Sequence, residues 1–287
     1  MIKWSVGSVK ITCITELESA GSVIQEAIPN ATKEEIQKID WLVPYFANAD
    51  GGLIAHTQSF IVESGKLKIL VDTCVGNEKK RIDIKEWGYL NTDYFQKLNE
   101  SGYSKDNITH VMCTHLHFDH IGFNTILEDG EWVPTFPNAK YIFSKKEFEY
   151  WSKMPESEIE DDRQGIRDSV LPVIKHNQHL LVEDNYKLSE EILFIPTPGH
   201  TPGHVSVLIK SKGRKALITG DFIHHPCQIE NVGWFTLADT DKDLATLTRR
   251  RMLEEHSDTD TLVFGSHFSY PIAGRIVKNG LSYKFVL

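Results

Sequence analysis

Basic charge is scarce in this chain. Its 31 Lys and Arg face 40 Asp and Glu, leaving a net charge of -9. That balance disfavours nucleic acid as a partner, because phosphate contacts need lysine and arginine in excess. Long apolar runs are also missing: no stretch nears the ~18 residues of a membrane span, so no membrane partner is expected. Cysteine is sparse. The four residues, at 13, 74, 113 and 227, lie far apart and form no CxxC pair, so neither a disulfide framework nor a cysteine-zinc site is indicated. Cys13 and Cys113 fall in strand-like runs and read as buried thiols. No low-complexity linker or charge block divides the sequence, and 1–287 reads as a single domain. The N-terminal MIKWSVGSVKITCI alternates like a strand and lacks the apolar block of a signal peptide. A cytoplasmic location is the expectation, with a removed leader left open.

What is present is an ordinary globular mixture, 40% hydrophobic and 25% charged. SFIVESGKLKILVDT (59–73) and HVSVLIKSKGRKALITGD (204–221) both read as hairpins around a Gly turn. Each ends in an aspartate, Asp72 or Asp221, which hints at two similar halves, each built on a sheet. Between them the pattern predicts a strand at 108–113, a helix from about 119, a strand near 140–143 and a helix from Ser144. Ser144 with Glu147 reads as a capping box. Residues 156–178 read as acidic helical turns at the surface. Strands follow at 192–195 and 261–265. Residues 240–256 read as a helix with Leu244, Leu247 and Leu253 near a 3.6 period. Mixed strands and helices of this kind make an α/β layered domain.

The densest chemistry lies in THLHFDHIG, 114–122, which holds three of the chain's 13 histidines. A strand end delivers His115 and His117 to one side, because i and i+2 share a face. Asp119 and His120 sit where a helix begins and point somewhere slightly different. A core cannot comfortably bury four such groups without an ion. The geometry favours two adjacent ions, and imidazole with carboxylate suits Zn²⁺ first, with Fe, Mn or Co open. Two metals need more ligands. His200 in PTPGHTPGH, Asp221 in ITGDFIHH and His267 in LVFGSHF each lie on a strand-end loop. Gly199, Gly220 and Gly265 beside them allow close backbone approach.

Taken in order, HLHFDH, PGHTPGH, TGD and GSH make the sequence resemble the metallo-β-lactamase superfamily over roughly residues 55 to 270. VDT at 71–73 matches the aspartate after the first hairpin. The resemblance implies a four-layer αββα sandwich with two metals at one edge between the sheets. It also implies the ligand sets: His115, His117 and His200 on one ion, Asp119, His120 and His267 on the other, and Asp221 shared. Two cations roughly 3.5–4 Å apart acidify a shared water, which then attacks an ester or lactone carbonyl. Asp119 is placed to pass a proton to the leaving group. Asp72 is expected to orient the ligand loop, and His204 to be structural.

The N-acyl-homoserine lactonases of this superfamily often carry a tyrosine three residues past the shared aspartate. Here that position is His224, whose imidazole could support a substrate carbonyl; His225 follows it. Trp41, Tyr45, Phe46 and Trp234 read as core, pocket lining or a homodimer contact. The favoured activity is a dinuclear hydrolase of small-molecule lactones or carboxylic esters. A phosphotriesterase resembling methyl parathion hydrolase is the first alternative. A glyoxalase II-like thiolesterase is disfavoured by the few residues after His267. An iron persulfide dioxygenase is disfavoured by the full ligand set. A tRNA-processing nuclease is disfavoured by the acidic balance, and a flavodiiron enzyme by His117. β-Lactam hydrolysis would be a side activity.

Overall fold

The N-terminal alternation closes as a hairpin of β1 (Lys3–Val6) and β2 (Val9–Leu17) in the computed structural model, which describes residues 2–153 and 159–287. The chain divides into two compact units. One holds Met1–Glu16 and Thr57–Tyr186, the other Leu17–His56 and Lys187–Leu287.

The first unit is built on a seven-stranded sheet. β3 (Thr57–Ser64) and β4 (Leu67–Val71) form the hairpin expected around Gly65. β5 (His110–Met112) then pairs parallel to β4. β6 (Thr125–Glu128) and β7 (Glu131–Pro134) make a separate two-stranded hairpin. β8 (Lys140–Ser144) and β9 (His179–Val182) extend the sheet in parallel, giving the order β1-β2-β3-β4-β5-β8-β9. Parallel strands buried on their faces read as near-continuous apolar runs, which is why HVM and KYIFS were legible despite their shortness. Ile61, Leu70, Val111, Tyr141, Phe143 and Trp151 meet in this unit's core.

Two local expectations change here. Ser144 makes no side-chain cap at the helix Lys145–Trp151. Its supposed partner Glu147 is buried and is used elsewhere, as described below. The acidic stretch expected at the surface over 156–178 begins with residues outside those described. From Glu160 it runs as helix Glu160–Gly165, a π turn Ile166–Val170 and helix Leu171–Lys175. Asp161, Asp162 and Asp168 are buried. Asp161 accepts the N–H groups of Ile82, Asp83 and Ile84, and Asp168 pairs with Arg81 at 2.9 Å. A carboxylate enters a core when such donors satisfy it, and these donors lie far away in sequence.

The second unit carries a six-stranded sheet in chain order. β10 (Ile192–Pro196), β11 (Val205–Ser211) and β12 (Arg214–Ile218) run antiparallel. β13 (Leu262–Phe264) joins β12 in parallel, and the hairpin β14 (Ala273–Asn279) and β15 (Ser282–Val286) completes the sheet. The two units thus share a scheme, a hairpin whose second strand takes a parallel neighbour. Phe46 from the early segment packs edge-on against Phe268 and Phe285.

The expected helix forms over Lys242–His256, started by Asp241, whose side chain accepts from Leu244 N–H at 2.9 Å. Its inner face takes one of the three leucines, Leu253, and leaves the other two outside. Leu247 is 62% exposed, while Ala245, Thr248, Arg249, Met252 and Leu253 are buried. Close approach is the cause. Gly199, at φ +129°, lies so near that a Cβ there would meet the Ala245 nitrogen at 2.2 Å.

Candidate metal centre

In the first unit the segment THLHFDH leaves the carboxyl end of β5. Buried carboxylates hold it. Thr114 N–H donates to Asp72 at 2.7 Å, Leu116 N–H to Glu147 at 3.1 Å and Phe118 N–H to Asp162 at 3.2 Å. Glu147 also accepts the Trp151 indole N–H at 2.8 Å. These clamps hold the backbone at alternate residues and leave the side chains between them to gather. The His115 and His117 rings lie 4.6 Å apart. The short helix Phe118–Ile121 turns His120 back to 4.1 Å from His115. All three histidines are buried.

Asp72 does what the sequence suggested. It holds both the N–H and the hydroxyl of Thr114, and it accepts from His120 Nδ1 at 2.9 Å. Its loop is fixed in turn. Thr73 N–H donates to His120 carbonyl, and Val75 and Gly76 N–H groups donate to Glu16. Burial pushes the Glu16 carboxyl up to about 7.

In the second unit three imidazoles converge on one carboxylate oxygen. Asp221 Oδ2 lies 3.0 Å from His224 Nε2, 3.2 Å from His267 Nε2 and 3.7 Å from His200 Nε2. His200, Asp221 and His224 offer ligand atoms all within 4.8 Å of one another. Asp221 N–H donates to His204 Nε2 at 2.7 Å, and His204 Nδ1 meets the Thr197 hydroxyl at 2.8 Å. His204 is therefore structural, as expected. His225 is separate from the cluster: its Nε2 reaches Phe46 carbonyl at 2.8 Å and its Nδ1 accepts Cys227 N–H at 3.1 Å. Trp41 donates to Glu230 and Phe46 is core, while Tyr45 is 44% exposed. All four cysteines are buried free thiols.

The residue that the sequence did not reveal is Asp239. It is buried and accepts from His200 Nδ1 at 2.9 Å. Burial alone would raise its carboxyl, but hydrogen bonds from His200 Nδ1 and Thr236 N–H hold it well below the usual range.

Tautomers test whether the donor set suits metal ions. His200 Nδ1–H donates to the Asp239 carboxylate, His267 Nδ1–H to His56 carbonyl at 2.9 Å, and His120 Nδ1–H to Asp72. In its neutral form each ring then turns an Nε2 lone pair toward a carboxylate: Asp221 for His200 and His267, Asp119 at 3.7 Å for His120. Lone pairs facing a carboxylate repel unless a cation lies among them. Ligand histidines fixed through their other nitrogen are the usual dress of a metal site. The His/Asp clusters fit such ions.

A mixed α/β chain with histidine and aspartate clusters at strand ends defines a class of metal-dependent fold. A model of the metallo-beta-lactamase superfamily matches residues 55–267, and the chain belongs to that superfamily and has its fold. Among its relatives is an N-acyl homoserine lactonase of a Bacillus species, 28% identical over 171 residues. The match spans 59% of this chain and 60% of that relative's length. A solved structure of AidC, a dizinc quorum-quenching lactonase, is similar with a TM-score of 0.78 at 22% identity, over 99% of this chain and 96% of that one. The hydrolase AbOPH has a TM-score of 0.79 at 23% identity, with the same coverage. At these identities the two structures speak for the fold alone. Among the described residues no helix is long and apolar enough to cross a membrane.

Proposed function

We propose that both units are halves of a single domain and that the chain is a dinuclear-metal hydrolase opening lactones or small carboxylic esters. The observation that carries this is the set of Nε2 atoms on His120, His200 and His267 facing carboxylates, each ring fixed through Nδ1. His115, His117 and His200 would hold one ion, Asp119, His120 and His267 the other, and Asp221 both. Zinc suits these donors best. When bound, such ions supply Lewis acidity and a water acidified toward neutrality.

The chain's own groups do the rest. Asp119, less buried than its neighbours, is placed to move a proton to the departing oxygen. His224 stands beside Asp221 with Nδ1 buried and without a hydrogen-bond partner. It is the side chain of this set best disposed to meet a polar atom of the substrate. The relatives named N-acyl homoserine lactonase support lactones as the class. Histidine at 224, where those lactonases often have tyrosine, keeps a phosphotriesterase as the second reading. Free buried thiols fit a reducing compartment such as the cytoplasm.

The test is a substrate panel on metal-quantified protein. About two metals per chain, and lactone hydrolysis lost with chelator and restored by zinc, are expected. Metal-replete protein inert toward lactones and aryl esters would sink the ester reading. Turnover of phosphotriesters alone would install the second.

A further inference from the structure

Arg249 is one of the largest fully buried side chains of the molecule. It lies on the inner face of the helix Lys242–His256, at a place where an apolar side chain would fill the same space. Its Nε donates to Phe222 carbonyl at 2.9 Å. Its Nη1 donates to Val232 carbonyl at 2.9 Å and Trp234 carbonyl at 2.7 Å. Its Nη2 makes no hydrogen bond among the described residues and faces Asp239 Oδ2 as an ion pair at 3.9 Å.

Two of these contacts lead to proposed ligands. Phe222 follows Asp221 directly, and Asp239 holds His200 through Nδ1. The same helix face holds the His200 loop a second time, through Thr248 hydroxyl to Pro198 carbonyl at 2.6 Å. Burying a guanidinium carries a desolvation cost of several kcal/mol unless its hydrogens are used. Arginine's planar fork can hold several acceptors at fixed angles, which a lysine cannot.

We propose that Arg249 is a positioning residue that sets Asp221 and His200 together for one metal ion. It touches neither the ion nor the substrate. The proposal rests on the metal-site reading above. Through it a single side chain ties the spacing of two ligands that lie on different loops.

Lys79 provides the control. It is an equally buried cation of the first unit, bonded to the Thr125 hydroxyl and Asp168 carbonyl and stacked on Trp132, and it holds no proposed ligand loop. Wild type, Arg249→Met, Arg249→Lys and Lys79→Met are loaded with Co²⁺. They are compared by chelator competition, visible absorption spectrum and thermal unfolding. Both Arg249 variants should bind cobalt about 10-fold or more weakly and show an altered spectrum. Lys79→Met should keep wild-type affinity and spectrum whatever its unfolding temperature. Should Arg249→Met not fold, Arg249→Lys, which keeps the charge and loses the fork, decides. Wild-type affinity and spectrum in the folded Arg249 variants overturn the proposal, as does an equal loss in Lys79→Met. A wild type that takes up no cobalt overturns the underlying metal reading instead.

Discussion

Asp72 is the residue on which the first ligand group turns, since it holds Thr114 twice and His120 once. Asp72→Asn keeps the size but places an amide against one of those donors. Metal affinity is expected to fall roughly 10–100-fold, the usual cost of losing an outer partner of a ligand, as read by chelator competition. Glu147 makes a different prediction. Glu147→Ala leaves the Leu116 N–H and the Trp151 indole buried without an acceptor, and each such orphan costs about 1–3 kcal/mol. Urea unfolding should show a loss of about 2–6 kcal/mol. The clustering of His115, His117 and His120 was legible in the sequence because HxHxDH is a short-range pattern. Asp239, Glu147 and Asp162 were not, since they meet His200, Leu116 and Phe118 over long sequence separations and nothing beside them in the chain marks the role. Glu147 was misassigned as a cap because Ser-x-x-Glu describes both situations equally well.

At the scale of elements, the helix Lys242–His256 separates pattern from environment. Its presence was readable from period, but its buried face was not. Leucine at 244 and 247 weighed more in the pattern than Arg249 and Thr248, whose burial follows from carbonyls supplied by other loops. Leu247→Lys is therefore expected to change stability by no more than about 0.5 kcal/mol, whereas Met252→Ala should cost about 2–5 kcal/mol. Paired denaturation curves check both values. Equal losses would mean that the leucine face is the packed one. The hairpins at β3–β4 and β11–β12 were read correctly, because a Gly turn between β-rich runs is local information. The parallel strands that follow them owe their place to partners far along the chain.

For the molecule as a whole, a buried histidine adds to the acid response of stability. Burial lowers the His225 pKa from 6.5 to about 4. Between those values the unfolded chain binds a proton that the folded chain refuses, so stability rises with pH across that window. The contribution is complete above about 6.5 and is lost as pH falls toward 4, a total of roughly 3 kcal/mol. His225→Gln should flatten the pH dependence of the unfolding free energy over that range relative to the wild type. A slope unchanged by the substitution would place the acid sensitivity elsewhere. Desolvation also lowers His56 and His256, which adds slope of the same sign, whereas the Glu16 carboxyl, pushed up to about 7, adds slope of the opposite sign, so the test is the difference between variant and wild type.

The division of the chain has a consequence for its synthesis. Leu17–His56 belongs with Lys187–Leu287, although Thr57–Tyr186 is made in between. On a ribosome the early segment emerges well before the strands that will receive it, and Phe46 has no Phe268 or Phe285 to meet until the last stretch is translated. Nascent chains of this protein should therefore expose that apolar segment to chaperones through most of elongation, and the half completed first should be the one that contains THLHFDH.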